Sequence, residues 1–297
     1  MANVREIARR ITTVRNLAQV TRAMQMVSAS RMRKAQERVL AARPYATKTT
    51  ELLRQLAAAQ DQEEVGHRLL HCRPVERVAM VVIASDRGLC GSYNTNVIRA
   101  ALRYAKGLKA SVGYVAVGVE ARRSILAAGG DLLAEFEGIP AELTVQFAGP
   151  IARLLETAFL SGEIDAGLVA YTEFGGALTQ VPTVTQVAPI LPPGGEAGAL
   201  PTRRRQGGGS LQYTYEPSAA SILERLLPHA VEVQVFGYLL ESAASEHSAR
   251  MVAMRNATKS AQDHAESLTR AFNRARQTAI TSEILDIASA TEALHAG

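Results

Sequence analysis

Residues 251–279 read MVAMRNATKSAQDHAESLTRAFNRARQTA, and this stretch decides the fold. Its small and apolar residues recur at alternating intervals of three and four, a spacing typical of a coiled-coil seam. The seam consists of Met251, Met254, Thr258, Ala261, Ala265, Leu268, Phe272, Ala275 and Ala279. Because residues 238–296 contain neither Gly nor Pro, the sequence predicts one uninterrupted helix about 90 Å long.

The N-terminal region repeats this pattern. Residues 1–43 also lack Gly and Pro, and their seam consists of Ile7, Ile11, Val14, Ala18, Thr21, Gln25, Ser28, Met32, Ala35, Val39 and Ala42. We expect the helix to continue past Pro44 to about Ala59, because a proline can bend a long helix without ending it. The first helix joins the central region by its C-terminal end and the second helix by its N-terminal end, so the two can pair only antiparallel.

The central region alternates strands with helices. Residues 78–83 form a continuous apolar run, as in a buried parallel strand. Further strands are predicted at 112–119 and 167–172, an edge strand at 181–191, and helices at 95–108, 120–128 and 151–160. This order indicates a Rossmann-like α/β domain with a mainly parallel sheet. The predicted fold class is therefore α/β, with a long antiparallel coiled coil of the N- and C-terminal helices.

Four segments follow from these patterns. They are an N-terminal coiled-coil helix at 1–59, a linker at 60–73, a central α/β domain at 74–216 and a C-terminal coiled-coil helix at 217–297. Residues 192–210 are rich in Gly, Pro and Arg, which predicts a mobile loop within the central domain. Pro228 is expected to kink the last helix near its start.

Positive charge is concentrated in the first helix. Residues 1–59 hold twelve Arg or Lys against three Glu, whereas the whole chain has a net charge of +5. Such an excess either is a solvated face or attracts an acidic partner, nucleic acid or anionic lipid. No signal peptide and no apolar run of 18 residues is present, so we expect a soluble protein without direct membrane insertion.

Motifs for catalysis, cofactors and metals are missing from the sequence. No Gly-Lys pair occurs, hence no P-loop, and no Gly-x-Gly-x-x-Gly follows a predicted strand. No His-Glu-x-x-His or Cys-x-x-Cys occurs either. The sequence therefore predicts a noncatalytic chain with no cofactor and no metal.

One turn leaves two interpretations open. Residues 85–91, SDRGLCG, follow the first strand, where ligand sites of α/β sheets usually form. Cys90 lies just ahead of a predicted helix and could be activated there. The simpler interpretation, which we favour, is a tight Asp/Gly turn with a small buried cysteine.

Four stretches resemble the gamma subunit of F-type ATP synthases. They are VTRAMQMVSASRMRK at 20–34, SDRGLCG at 85–91, ASEHSARMVAMRNAT at 244–258 and NRARQTAITSEI at 273–284. The resemblance covers essentially the whole chain. It implies a rotor shaft that couples proton or sodium flow to ATP synthesis and hydrolysis in other subunits.

The resemblance also implies partners and a location. The paired helices would turn inside a ring of three alpha and three catalytic beta subunits. The α/β domain would sit with the epsilon subunit on the c-ring of the membrane sector. We therefore expect a peripheral protein on the cytoplasmic face of the bacterial inner membrane.

Contact residues are implied in the same way. Arg276 and Gln277 would meet a loop of the beta subunit, with Thr281 and Glu283 in the same coupling region. Met24 and Arg250 would lie near each other and face the lever of the beta subunit. That pairing makes the numbers of paired residues add to 274 and leaves the chain beyond about Phe272 uncovered. Partner subunits would then cover the large apolar residues Ile280, Ile284, Leu285 and Ile287.

Two alternatives belong to other classes of protein. A basic coiled-coil protein that binds nucleic acid would show binding that falls steeply with salt. The first helix interleaves its charges with small residues and has Tyr45 as its single aromatic residue, so we predict no nucleic-acid partner. An α/β enzyme with helical oligomerisation arms would show a bound nucleotide or metal.

Overall fold

The computed structural model describes residues 2–59, 67–176, 179–190 and 219–295. Two long helices, α1 (Ala2–Ala59) and α5 (Ala219–His295), flank a central α/β region. That region contains a short 3-10 helix (Arg68–Leu70), α2 (Tyr93–Gly107), α3 (Val119–Ala127) and α4 (Val145–Ser161). Its strands are β1 (Arg77–Ile83), β2 (Ser111–Val117), β3 (Asp131–Phe136), β4 (Ala166–Phe174) and β5 (Gln180–Ala188). The predicted fold class is confirmed.

The five strands form one sheet in the order β3-β2-β1-β4-β5. The first four are parallel, whereas β5 runs antiparallel to β4 and lies at an edge. Edge position suits β5, since Pro182 cannot donate to a second neighbouring strand. The apolar run in β1 places that strand at the centre, where both of its faces are buried.

Alternate residues of β1 supply two cores. Val78, Met80 and Val82 pack on the face covered by α2 and α3. Ala79, Val81 and Ile83 pack on the other face, which is covered by α4 together with residues 30–59 of α1 and 219–249 of α5. The sheet therefore lies between two helical layers, as a doubly covered parallel sheet requires.

Several boundaries differ from the sequence-based prediction. β3 was not predicted, and α4 begins six residues before the expected start at Ile151 because Pro150 lies inside the helix. Its missing N–H costs one hydrogen bond close to the exposed start of the helix, which the structure tolerates. Both long helices likewise continue through a proline, Pro44 in α1 and Pro228 in α5.

The described residues divide into two compact units. One contains residues up to 29 and from 250 onward, and the other contains residues 30–249. We call the parts of α1 and α5 in the first unit the first arm and the second arm. The predicted loop 192–210 and half of the predicted linker, residues 60–66, lie outside the described residues. The four-segment division of the chain stays a prediction.

Candidate functional site

The two arms pair through the seam that the sequence predicts. Its most buried members are Ile11, Ala18, Thr21 and Ser28 on the first arm, and Met254, Thr258, Ala261 and Ala265 on the second. Polar members of the seam are satisfied locally, because the Ser28 hydroxyl donates to the Met24 carbonyl at 2.8 Å and that of Thr21 to the Leu17 carbonyl at 3.0 Å. Small side chains therefore line the seam without unpaired hydroxyls.

A hydrogen bond between the arms fixes their register. The Thr258 hydroxyl donates to the Thr21 hydroxyl oxygen at 2.8 Å, so the numbers of paired residues add to 279. The expected sum of 274 is wrong by five residues. Met24 is therefore level with Arg255, and Arg250 lies about 7.5 Å farther along the helix axis. The error arose because the sum was taken from one implied contact, whereas long side chains can meet without lying at one level.

The second arm carries a lone stretch beyond its partner. At the observed register Ala2, where α1 begins, is level with Gln277, and residues 280–289 are all exposed. The uncovered part therefore begins after about Gln277 rather than Phe272, as the five-residue shift requires. Four large apolar side chains lie in it, with exposed fractions of 48% for Ile280, 61% for Ile284, 60% for Leu285 and 64% for Ile287.

Three of these residues form a stripe that does not face the seam. Ile280, Ile284 and Ile287 are spaced by four and three, which places them on one side of the helix. At about 100° per residue, that side is rotated by roughly 115° from the seam residues Phe272, Ala275 and Ala279. We call this the distal stripe. A surface with this direction cannot be covered by continuing the coiled coil.

The predicted contact residues of the second arm flank the distal stripe. Arg276 and Glu283 project on one side of it, and Gln277 and Thr281 project on the other, by the same helical geometry. All four side chains are exposed. The structure thus brings them to the border of one apolar surface, although their contacts with a partner stay predictions.

Met24 belongs to a second apolar stripe, on the first arm. Leu17, Val20 and Val27 are more than half exposed, and with half-buried Met24 they follow each other at intervals of three, four and three. We call this the proximal stripe. Leu17, Val20 and Val27 were not among the residues predicted from the sequence. Their spacing of three and four with Met24, next to the seam residues, is the signal that could have identified them.

Arg250 is unusually buried for its type, with an exposed fraction of 9%. It stands at the start of the second arm, on the same helix as the predicted contacts Arg276 and Gln277 but about 39 Å away along the axis. Arginine is rarely buried unless its charge is compensated. The predicted role of Arg250 in contact with a partner stays a prediction.

The side chains of the turn at 85–91 contact other parts of the central domain. The Asp86 carboxylate accepts hydrogen bonds from the backbone N–H of Val119 at 3.2 Å and of Ile139 at 2.7 Å. It thereby ties the end of β1 to the segments that follow β2 and β3. Cys90 is 2% exposed and lies 3.3 Å from the side-chain amide of Asn94. These contacts support the structural interpretation of this turn over an activated cysteine.

Backbone packing also closes the space above this edge of the sheet. Gly118, which follows β2, has a φ of +93°, and a Cβ atom there would lie 2.5 Å from the carbonyl oxygen of Ala84. Only glycine fits this close approach. In the described part of the chain, no group of three or more side chains is arranged to hold a metal ion.

A polar cluster holds the base of α5 against β4. The Ser242 hydroxyl accepts from the Thr172 N–H at 3.3 Å, and the Ser245 hydroxyl donates to the Thr172 carbonyl at 3.1 Å. Beside them, Tyr171 stacks on Tyr238 with ring centroids 4.3 Å apart. Burial, and then the charge of Glu173, raise the pKa of the neighbouring Glu241 carboxyl above its ordinary value, although Arg43 opposes the shift.

Comparison with known proteins gives one family. The family model described as ATP synthase matches residues 3–294. The chain is 43% identical to the ATP synthase gamma chain of Dehalococcoides mccartyi strain CBDB1, and 45% identical to that of Desulfitobacterium hafniense. Each alignment spans 294 residues, covering 99% of this chain and 100% of the relative.

Solved structures show the same fold. A chain of the Euglena gracilis mitochondrial ATP synthase, in the assembly of OSCP, F1 and c-ring, aligns with a TM-score of 0.70 and 18% identity over 100% of this chain and 96% of that one. A chain of the Tetrahymena thermophila central stalk and c-ring aligns with a TM-score of 0.59 and 23% identity over 80% of this chain and 99% of that one. Among the described residues, none of the helices has both the length and the apolar character needed to span a bilayer.

Proposed function

The chain belongs to the ATP synthase gamma-chain family, and from this premise we propose how it contacts its partners. As a member of that family, it is the noncatalytic rotor shaft that couples ion flow to ATP synthesis and hydrolysis. The matching family model and the gamma-chain relatives support the function itself. The exposed surfaces of the two arms support the proposed contacts.

The proximal and distal stripes are the surfaces that the surrounding subunits cover. The observation that carries this proposal is the exposure of Ile280, Ile284 and Leu285 on a helical stretch that no other described part of the chain covers. Exposed apolar surface of this kind marks an interaction site or an aggregation liability. A sleeve of three alpha and three beta subunits, expected from the family, would bury both stripes.

Polar contacts would lie at the borders of the stripes. Arg276 and Gln277 are proposed to meet a loop of the beta subunit, and Thr281 and Glu283 to lie in the same coupling region. Met24 and Arg250 are proposed to face the lever of the beta subunit. Since exposed ion pairs contribute only about 0–1 kcal/mol each, torque passes mainly through the shape of the arms and less through single charges.

The central α/β domain is proposed to be the foot of the shaft. Its partners would be the epsilon subunit and the c-ring, and its location the cytoplasmic face of the bacterial inner membrane. Support comes from the bacterial sources of the gamma-chain relatives and from the c-ring named with two of the aligned assemblies. The proposed set of partners includes no nucleic acid.

Replacing one distal apolar side chain tests the proposal. We expect Ile284→Ser to weaken incorporation of the chain into the reconstituted ATPase about tenfold, because a buried isoleucine contributes about 1.5–3 kcal/mol. Leu126→Ser, at a position on α3 that is 50% exposed, is the matched control and should assemble normally. Equal assembly of both variants, with no gain of amide protection at residues 280–288 on assembly, would refute the proposed sleeve.

A further inference from the structure

A groove lies between α2 and α3 on the face of the sheet opposite α4. It has a volume of about 520 Å³, and its lining runs along α2 from Asn94 to Lys106 and includes Glu120 and Ser124 of α3. Ile98, which is 7% exposed, and half-buried Leu102 contribute apolar side chains to it. The hydroxyl-bearing residues Thr95 and Ser124 also line it.

The groove carries a row of cations on one of its sides. Arg99, Arg103 and Lys106 line it, all three are exposed, and their spacing of four and three places them on one face of α2. Like charges at this spacing repel each other along a helix. No ion pair between described residues involves any of the three, so this repulsion is not relieved within the described fold.

The one carboxylate in the groove is engaged elsewhere. Glu120 pairs with Arg123 of the same helix, with an N–O distance of 3.1 Å. Its charge is therefore shared with a cation outside the row. The groove as a whole stays electropositive, with an apolar floor.

We propose that this groove binds an acidic, amphipathic helical segment of a partner protein, an interaction additional to the shaft function. The row spans about 10 Å along α2, which is longer than one phosphate group. A helix with carboxylates at intervals of three and four matches it, because the same spacing repeats on both helices. Apolar side chains on that face of the ligand would rest on Ile98 and Leu102.

The chain's own segments outside the described residues fit the groove less well. Residues 191–218 contain Arg203, Arg204 and Arg205 against two Glu, so their net charge is positive. Residues 60–66 are acidic, but they lead directly into the 3-10 helix, whose Arg68 guanidinium donates to the Leu160 carbonyl of α4. That contact lies on the opposite face of the sheet.

Peptide binding to the full-length chain tests the chemistry. The probe is a synthetic helix of about 20 residues with Leu on one face and Glu beside it, and its counterpart carries Lys in place of Glu. We expect the Glu peptide alone to bind, and Arg103→Glu to weaken it about tenfold at low salt. Arg225→Glu, which changes an exposed arginine of α5, should leave binding unchanged. Equal binding of both peptides, or an equal effect of both variants, would refute the groove.

Photo-crosslinking in the intact ATP synthase identifies the natural occupant. Arg103→Cys in a Cys72→Ser background places one reactive thiol at the groove, because Cys90 is buried. A photoreactive maleimide there should label a partner segment with net negative charge. Labelling of residues 60–66 of the same chain, of a neutral or basic segment, or of lipid alone would overturn the proposal. ATP hydrolysis by the same complexes reports on the shaft function separately.

Discussion

Thr21 and Thr258 lie 237 positions apart in the chain, yet their hydroxyl oxygens are separated by 2.8 Å. Each sits in the seam with small neighbours, so the helices approach closely at this level. The hydroxyl of Thr21 donates in turn to a carbonyl of its own helix. This pair fixes the register between the arms, because a shift of even one residue would separate the two oxygens by about 1.5 Å along the axis.

Disulfide formation can measure this register. Thr21→Cys combined with Thr258→Cys should oxidise quickly, because the side-chain oxygens that the two sulfur atoms would replace are already in contact. A disulfide also needs Cα atoms roughly 4.4–6.8 Å apart. Met24→Cys combined with Arg250→Cys is the comparison at a sum of 274 and should oxidise far more slowly. Both pairs are placed in a Cys72→Ser background, and the products are quantified on non-reducing gels. Faster oxidation of the second pair would contradict the register of 279.

Met24→Lys should impair coupling more than folding. The substitution puts a cation between Val20 and Val27 in the proximal stripe, which the surrounding subunits are proposed to cover. Burying the lysine ammonium group under partner subunits costs free energy. In the isolated chain the same group can reach water, so the cost there is smaller. Met24→Leu keeps the apolar volume and serves as the control. The measurement is ATP-driven ion pumping relative to ATP hydrolysis in reconstituted vesicles. A normal ratio for Met24→Lys would place this residue away from the partner.

Asp86→Asn should destabilise the central domain by about 1–3 kcal/mol. The carboxylate accepts one N–H on each oxygen, from Val119 and Ile139, and an amide can replace only one of these acceptors. Asp131→Asn, at an exposed position on β3, is the control. Urea unfolding followed by circular dichroism gives the free energies. Equal midpoints for the two variants would show that the Asp86 brace contributes little.

Glu241→Gln should change how stability depends on pH. The raised pKa of Glu241 means that the folded state binds this proton more tightly than the unfolded state, whose carboxyl has the ordinary value of 4.5. Its contribution to wild-type stability is therefore fully present below about pH 4.5 and is lost as pH rises through the raised value. The stability of Glu241→Gln relative to wild type should increase over that window and then level off.

Denaturant titrations across this pH range measure the effect. Glu163→Gln, at an exposed site, should follow wild type throughout. A constant difference between Glu241→Gln and wild type at every pH would mean that Glu241 does not titrate abnormally in the folded protein.

Much of this fold was predictable from periodicity. The seams of both helices are found where intervals of three and four place them. A seam residue is buried whatever the exact sequence and register of the partner helix. β1 was equally clear, since a strand buried on both faces reads as an unbroken apolar run. The exception was β3, whose sequence DLLAEF is half exposed at a sheet edge. A strand with one neighbour and weak alternation leaves little signal in a single sequence.

The contact surface was predictable only in part. The exposed isoleucines of the second arm were found because large apolar residues stood out in a lone helix. The register was wrong because the small residues of the seam fit at more than one offset, so their pattern does not select a single alignment. The proximal stripe was overlooked because its residues alternate with those of the seam on neighbouring faces of one helix.

The long separation between Thr21 and Thr258 has a consequence for synthesis on the ribosome. The first arm emerges early, but its partner residues near position 258 are translated only after the whole central domain. For that interval its seam is exposed, and an Ile/Leu zipper at this position would associate with other nascent chains. The seam residues Ala18, Thr21, Gln25 and Ser28 are small or polar, so this part of the seam tolerates exposure to water. The composition that permits close packing in the finished shaft therefore also protects the growing chain from self-association.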